Sequence, residues 1–388
     1  MVPISYSVRN LVQRRATTAA TALGIGLVVF VFASSLMLSR GIERTLGRAG
    51  SPDVAVVLRD GSDAELSSSI EIAPAGLIAS MPEVRRGADG SPEAVREVVS
   101  VISLDKLGAD GVSNVLVRGI EPEPQRFRPR VRVVEGRAPR PGSEEAMVGA
   151  AIRGRFRGLQ LGQSFELRKN RPLTVVGIFE DGGSSNESEV WADIDAVRAA
   201  FGRQGLVSSV RVRLRSAEAF DAFRRGVEGN RQLGVDAHRE TKFYEDQSSG
   251  TSMFVKALGV LIAIFFAAGA MIGATITMHA SVAARAREIG TLRALGFPKK
   301  SILVSFLLES VVLSLAGGAV GAAASTVMGF VRFDIVNFAS WSEIVFTFAP
   351  TPGILLASMV FATAMGLFGG LFPAVRAARM PVLDALRG

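Results

Sequence analysis

Between Arg15 and Arg40 no residue carries a charge, and the same holds from Glu343 to Arg376 and, apart from the neutral His279, from Lys256 to Arg285. Between Lys300 and Arg332 the only ionisable residue is Glu309. A helix needs roughly 20 apolar residues to cross a hydrocarbon core about 30 Å thick, and all four runs are long enough. About two hundred polar residues separate the first run from the second. The layout predicts an α-helical membrane protein with four transmembrane helices and an α+β extracytoplasmic domain inserted between helices one and two. The expected division is an N-terminal tail (1–15), helix one (16–39), the inserted domain (40–252) and helix two (253–280). A loop (281–300), helix three (301–331), an external loop (332–350), helix four (351–375) and a tail (376–388) complete it.

Charge placement orients the chain. The net charge of +8 invites a nucleic-acid reading, but residues 40–252 hold 31 basic and 31 acidic side chains. The whole excess therefore lies in the membrane-associated segments, and nucleic acid is dropped as a partner. Arg9, Arg14 and Arg15 precede helix one; Arg285, Arg287, Arg293, Lys299 and Lys300 face Glu288 alone in the 281–300 loop; Arg376, Arg379 and Arg387 face Asp384 in the tail. The 332–350 loop has no basic excess. The positive-inside rule then places both termini and the 281–300 loop in the cytoplasm and the insert outside. The first run is too long for a signal-peptide core, so it is read as a span. With no cysteine, the insert must be held by burial rather than disulfides, and over 200 residues suffice for that.

Within the insert, β-rich runs at 54–59, 98–104, 114–120, 131–134, 164–167, 173–179 and 209–214 read as strands. Stretches 73–81, 193–201 and 217–228 read as helices, the second capped by Asp193. The mixture suggests two lobes, with a boundary near 137–145, and a polar connector at 239–252 leads into helix two. Metal binding is unsupported, because His238 and His279 are the only histidines. Ser103-Leu-Asp-Lys106 matches a short Ser-x-x-Lys pattern without companion motifs, and Glu144-Glu145 reads as a solvated loop surface. None of the six lysines follows a glycine, so no phosphate-cradling P-loop is present. The chain is read as non-catalytic, with no cofactor of its own.

Inside the membrane, Gly269 and Gly273, Gly317 and Gly321, and Gly366 and Gly370 each place two glycines on one helix face. Such pairs suit close helix packing or a dimer seam, against a background of general glycine enrichment. A carboxylate at the centre of a membrane helix costs on the order of 2.5–3.5 kcal/mol. Glu309 should therefore face protein or water, and a bond locking two helices is preferred over a substrate or proton role.

The most specific stretch is the loop segment Arg285-Ala-Arg-Glu-Ile-Gly-Thr-Leu-Arg-Ala-Leu-Gly296. Ile289, Leu292 and Leu295 recur at helical spacing, with Arg285, Glu288 and Arg293 elsewhere on the surface. Gly296 and Pro298 stop the helix. This segment resembles the loop of the FtsX/MacB-type permeases of ABC transporters, which commonly reads Arg-x-x-Glu-Ile-Gly-x-Leu-Arg-Ala-Leu-Gly. The likeness extends to the Glu309-containing run 306–318, the tail 373–387, and the segments 173–179 and 188–193 of the insert.

The resemblance implies a permease subunit working as a homodimer, or beside a sister permease, driven by two copies of a separate ATPase that binds ATP and Mg. The 285–296 helix would be the coupling element on that ATPase, with Arg285, Arg287, Glu288, Ile289, Thr291, Leu292, Arg293, Leu295 and Gly296 as its residues. A periplasmic adaptor protein and membrane lipid are further candidate partners, and the cell inner membrane is the expected location. Small-molecule or peptide efflux and lipoprotein release share this architecture. The alternative is a membrane-anchored regulator or scaffold of cell-envelope proteins without transport.

Overall fold

The computed structural model describes residues 15–108 and 110–381; the N-terminal Arg9 and Arg14 and the tail residues Asp384 and Arg387 lie outside them. In chain order the helices are α1 (Arg15–Gly47), α2 (Ile72–Ala79), α3 (Pro124–Phe127), α4 (Ile194–Phe201) and α5 (Phe220–Glu228). They continue with α6 (Glu240–Ala284), α7 (Ala286–Ala294), α8 (Lys299–Thr326) and α9 (Pro352–Arg379). The strands are β1 (Val54–Arg59), β2 (Ile70–Glu71), β3 (Ala94–Asp105), β4 (Val112–Ile120), β5 (Arg132–Gly136), β6 (Glu145–Gly149) and β7 (Ser164–Arg168). Then follow β8 (Arg171–Glu180), β9 (Glu189–Asp193), β10 (Leu206–Val207), β11 (Ser209–Arg213), β12 (Val235–Arg239), β13 (Arg332–Val336) and β14 (Glu343–Thr347).

These elements form two compact units. The helical unit gathers the described residues of Met1–Arg40, Met253–Val331 and Thr347–Gly388; the α/β unit gathers Gly41–Ser252 and Arg332–Phe346. Among the described residues, four helices, beginning near residues 17, 240, 299 and 352, are long and apolar enough to cross a membrane.

Small residues set the helix spacing in the helical unit. A Cβ placed on Gly317 or Gly321 of α8 would collide with the backbone carbonyls of Ala22 or Gly26 on α1. On α9, a Cβ at Gly366 or Gly370 would strike Ser314 or Ser310 of α8, and Ser310 Oγ donates to the Gly366 carbonyl at 2.7 Å. Lipid gives little hydrophobic drive for association, so this close backbone approach supplies the packing energy. Gly269 and Gly273 of α6 differ, because nothing lies within 4 Å of a Cβ built on either.

The α/β unit is built on a ten-stranded sheet in the order β12-β1-β11-β3-β4-β9-β6-β8-β5, with β7 on β8. Neighbours run antiparallel except β4 with β9 and β6 with β8. The first residues of β3 pair with β11 and its remainder with β4, so the two halves of the sheet meet within one strand. The lobe boundary expected at 137–145 is therefore misplaced. That stretch is a connection inside the sheet, closed by Arg137 Nη2 on Glu145 Oε1 at 2.5 Å. Glu145 itself opens a strand rather than a solvated loop, and the Arg137 hydrogen bond lowers its carboxyl to about 2. Asp193 caps α4 as expected, accepting from the amides of Asp195 and Ala196.

Two expected connectors are structured. The polar 239–252 stretch is the first part of α6, 45 residues long and unbroken from Glu240. Lys242 pairs with Asp246 at 2.8 Å, and Ser248 and Ser249 return their hydroxyls to the carbonyls three residues back, so polar composition does not interrupt the helix. The external loop expected at 332–350 contains the β13–β14 hairpin. Its Val345 joins the main apolar core and donates its amide to Ser188 Oγ at 3.0 Å.

Overpacking a close contact costs roughly 1–3 kcal/mol. Gly321→Leu should therefore lower the melting temperature of the detergent-solubilised chain, whereas Gly269→Leu should leave it nearly unchanged; differential scanning fluorimetry of the two variants checks this.

Candidate functional site

The loop helix α7 starts at a break in an otherwise continuous helix. Arg285, at φ −115° and ψ 18°, separates α6 from α7. Gly296 ends it at φ +94°, a left-handed conformation in which glycine carries no Cβ penalty. The apolar stripe divides. Ile289 is buried among Met278, Val282, Ile302, Phe306 and Ala377, so it plugs α7 into the helical unit. Leu295, expected on the same face, is 73% exposed; Arg287, Glu288, Thr291 and Gly296 are exposed too, while Leu292 and Arg293 are half-buried.

Arg285 turns inward. Its Nη1 meets Glu309 Oε2 at 2.9 Å, its Nε meets Glu288 Oε2 at 3.2 Å, and its guanidinium lies 5.1 Å from the Phe306 ring centre. Arg285, expected among the residues of the coupling face, thus spends part of its guanidinium on Glu309, which is 6% exposed. The pair ties the break before α7 to the middle of α8. Beside Glu309 lies a cavity of about 50 Å³ lined by Thr17, Thr21, Thr277 and Ser310 together with Ile25, Met278 and Leu313.

The α/β unit contains a second constellation, absent from the sequence reading. Arg118 of β4 and Arg211 of β11 are wholly enclosed. Arg118 holds Glu189 with Nε and Nη2, each at 2.7 Å, and reaches Glu97 at 2.7 Å and Glu65 at 3.0 Å. Arg211 binds Glu97 and Glu65, each at 3.0 Å, and Glu240 at 2.5 Å. Arg128 adds a further bond to Glu97 at 2.5 Å. Glu240, the first residue of α6, also accepts the amide of Ser51 at 2.9 Å, four residues past the end of α1. One carboxylate therefore joins the chain just after α1, the start of α6 and a central strand. The clue in the sequence is a charge inside apolar strands, as in Val-Leu-Val-Arg118 and Val-Arg211-Val.

The electrostatics are unequal to ordinary surface pairs. Burial alone would raise the Glu65 and Glu97 carboxyls, but Arg118 and Arg211, joined by Arg128 at Glu97, outweigh it and hold both below the usual range. Removing one partner from such a cluster strands a buried charge.

Taken together, the apolar helices, the loop helix and the α/β unit define a multi-pass membrane protein of the permease type. Residues 16–229 match the family described as MacB-like periplasmic core domain, and residues 260–382 match FtsX-like permease C-terminal. The chain belongs to the FtsX/MacB-type permease family. A relative from Burkholderia cenocepacia, the "Macrolide export ATP-binding/permease protein MacB", is 25% identical over 97% of this chain and 56% of its own length. The protein of the same name from Shigella boydii is 30% identical over 56% of this chain and 34% of its own. The chain thus spans between a third and somewhat over half the length of these relatives. Among solved structures, the periplasmic region of MacB from Actinobacillus actinomycetemcomitans aligns with half of the chain and 92% of its own at 12% identity and a TM-score of 0.37.

Two outcomes follow from these geometries. Arg118→Met should cost about 3–5 kcal/mol by leaving buried carboxylates unmatched. A carboxyl held below its unfolded value stabilises above that value and loses the contribution as pH falls through the folded value. The melting temperature of the full chain should therefore hold from neutral pH down to about 5 and drop below 4.5, the ordinary glutamate value, and Arg118→Met should flatten that drop. In the helical unit, Glu309→Gln and Arg285→Gln, singly and together, should show a coupling of about 1–3 kcal/mol in mixed-micelle unfolding.

Proposed function

We propose that this chain is the permease subunit of an ABC transporter, converting ATP-driven motion of a separate ATPase into movement of its α/β unit for export or extraction of a substrate. The observation that carries the reading is α7: a short helix fastened to its own unit by Ile289 and Arg285, with Arg287, Glu288, Thr291 and Leu295 left on the exposed side. A helix held this way moves with the spans, so a push on its outer face is passed to α6 and α8. In this reading the basic loop and termini lie in the cytoplasm, residues 41–252 and the β13–β14 hairpin lie on the other side of the inner membrane, and α1 and α6 carry motion between them. Two ATPase copies supply ATP and Mg, and a second permease copy or a sister permease completes the complex. The outward Gly269–Gly273 face of α6 is available for that seam. Small-molecule or peptide efflux, with an adaptor protein, and lipoprotein release are the two cargo classes that suit such a machine.

Purification from the native host in mild detergent should recover a nucleotide-binding protein with this chain. Glu288→Arg should lower permease-dependent ATPase activity on the order of tenfold while the chain still unfolds in a cooperative transition. A complex that never carries an ATPase, or a Glu288→Arg variant with full coupling, would contradict the proposal and favour an anchored regulator.

A further inference from the structure

The β13–β14 hairpin is asymmetric. Ile344, Val345 and Phe346 of β14 are buried in the α/β unit, while Phe333 and Val336 of the outer strand β13 and Phe338 and Trp341 of the turn are exposed. The hairpin is clasped to the unit by polar contacts. Lys106 Nζ meets Asp334 at 3.1 Å and pairs with Glu343, Arg155 Nη2 meets Asp334 at 2.5 Å, and Asn114 Nδ2 donates to the Trp341 carbonyl at 2.9 Å. These same contacts bring the β3–β4 turn alongside, and it too exposes apolar residues, Leu107 and the 67% exposed Val112. Two turns from distant parts of the sequence thus lie side by side and each exposes apolar residues, Leu107 and Val112 on one and Phe338 and Trp341 on the other, while Phe333 is exposed on the face of β13 opposite the clasped Asp334.

Trp341 occupies the turn at φ +49°, where a bulky side chain is disfavoured. Its amide donates to the Asn337 carbonyl at 2.7 Å, and Asn337 Oδ1 holds the Ala339 amide at 2.7 Å, so the conformation is imposed by the turn. An aromatic ring stands where glycine would fit more easily, and its exposure is 62%.

The chain itself says what covers this surface. The third apolar helix runs to Phe330, and β13 starts two residues later. Phe333 can therefore lie no more than about 11 Å from Phe330. The hairpin returns at Thr347, five residues before the fourth apolar helix begins at Pro352. Tryptophan and other amphipathic rings favour the boundary between headgroups and acyl chains. From these observations we infer that the β13–β14 hairpin and the β3–β4 turn form a membrane-surface contact, with Trp341 seated in the interfacial layer of the leaflet where the third and fourth apolar helices emerge. The contact rests on the membrane-spanning reading above. It fixes the α/β unit to the lipid surface at a site distinct from α1 and α6.

The protein carries its own probe. Of its two tryptophans, Trp191 is fully buried and donates to Glu189 at 2.7 Å, so the difference in emission between the native chain and Trp341→Phe reports Trp341 alone. The full chain is reconstituted into vesicles of phosphatidylethanolamine and phosphatidylglycerol containing phosphatidylcholine brominated near the headgroup end of its acyl chains, and flotation checks insertion. The expected result is a blue-shifted difference emission that loses most of its intensity to the brominated lipid and little to iodide. A floating protein whose difference emission is red, quenched by iodide and indifferent to bromination overturns the contact while leaving the membrane reading intact; a water-facing or protein-binding hairpin then takes its place. A chain that fails to float overturns both. Val112→Ser, on the neighbouring turn, should weaken the bromolipid quenching without removing Trp341, and an unchanged value would argue against a shared surface.

Discussion

A carboxylate among apolar helices must find a counter-charge or lose its own charge, and Glu309 finds Arg285 at 2.9 Å. That requirement shapes the helical unit. Arg285 stands at the break between α6 and α7, with its side chain directed to Glu309. Ile289 completes the attachment one turn later. The exposed face that remains is held to α8 by the ion pair and by Ile289 together. The glycine contacts between α1, α8 and α9 make the same point with backbone instead of charge, since neither surface can slide without a clash.

The α/β unit repeats the logic in a drier setting. Buried ion pairs are a poor source of net stability, because desolvation offsets much of the Coulomb attraction. Their geometric demands are strict, however. Arg211 and Glu240 fix where α6 starts against the sheet, and the Ser51 amide fixes the segment after α1 to the same carboxylate. An apolar substitute would hold these elements together without specifying their register. The hairpin clasped by Lys106 and Arg155 ties the segment between α8 and α9 into the same α/β unit.

Much of this was legible in the residues. Charge-free runs announce the four long helices, and the ends of β1 and the cap at Asp193 follow from local pattern alone. Strands β6, β9 and β12 were missed because each is five residues long and mixes charge with small apolar groups, so no period stands out. The hairpin reads as loop in the sequence because its docking depends on Ser188 and Lys106, far away along the chain. For the candidate site, the helix and its stop at Gly296 were visible, but the inward turn of Arg285 was not. Helical spacing shows which residues share a face and is silent on which face the neighbouring helices cover. Arg118 and Arg211 were hidden for a related reason: alternation in a strand separates two faces, and here both are buried.

The proposal that motion enters at α7 and emerges in the α/β unit can be measured as a distance. The chain has no cysteine, so Leu295→Cys and Val134→Cys, both at exposed positions, give a clean pair of spin-label sites. In the reconstituted complex, pulsed electron–electron resonance should show one distance distribution without nucleotide and a displaced one with ATP bound. An identical distribution in the two states, while the ATPase continues to turn over, would contradict the account.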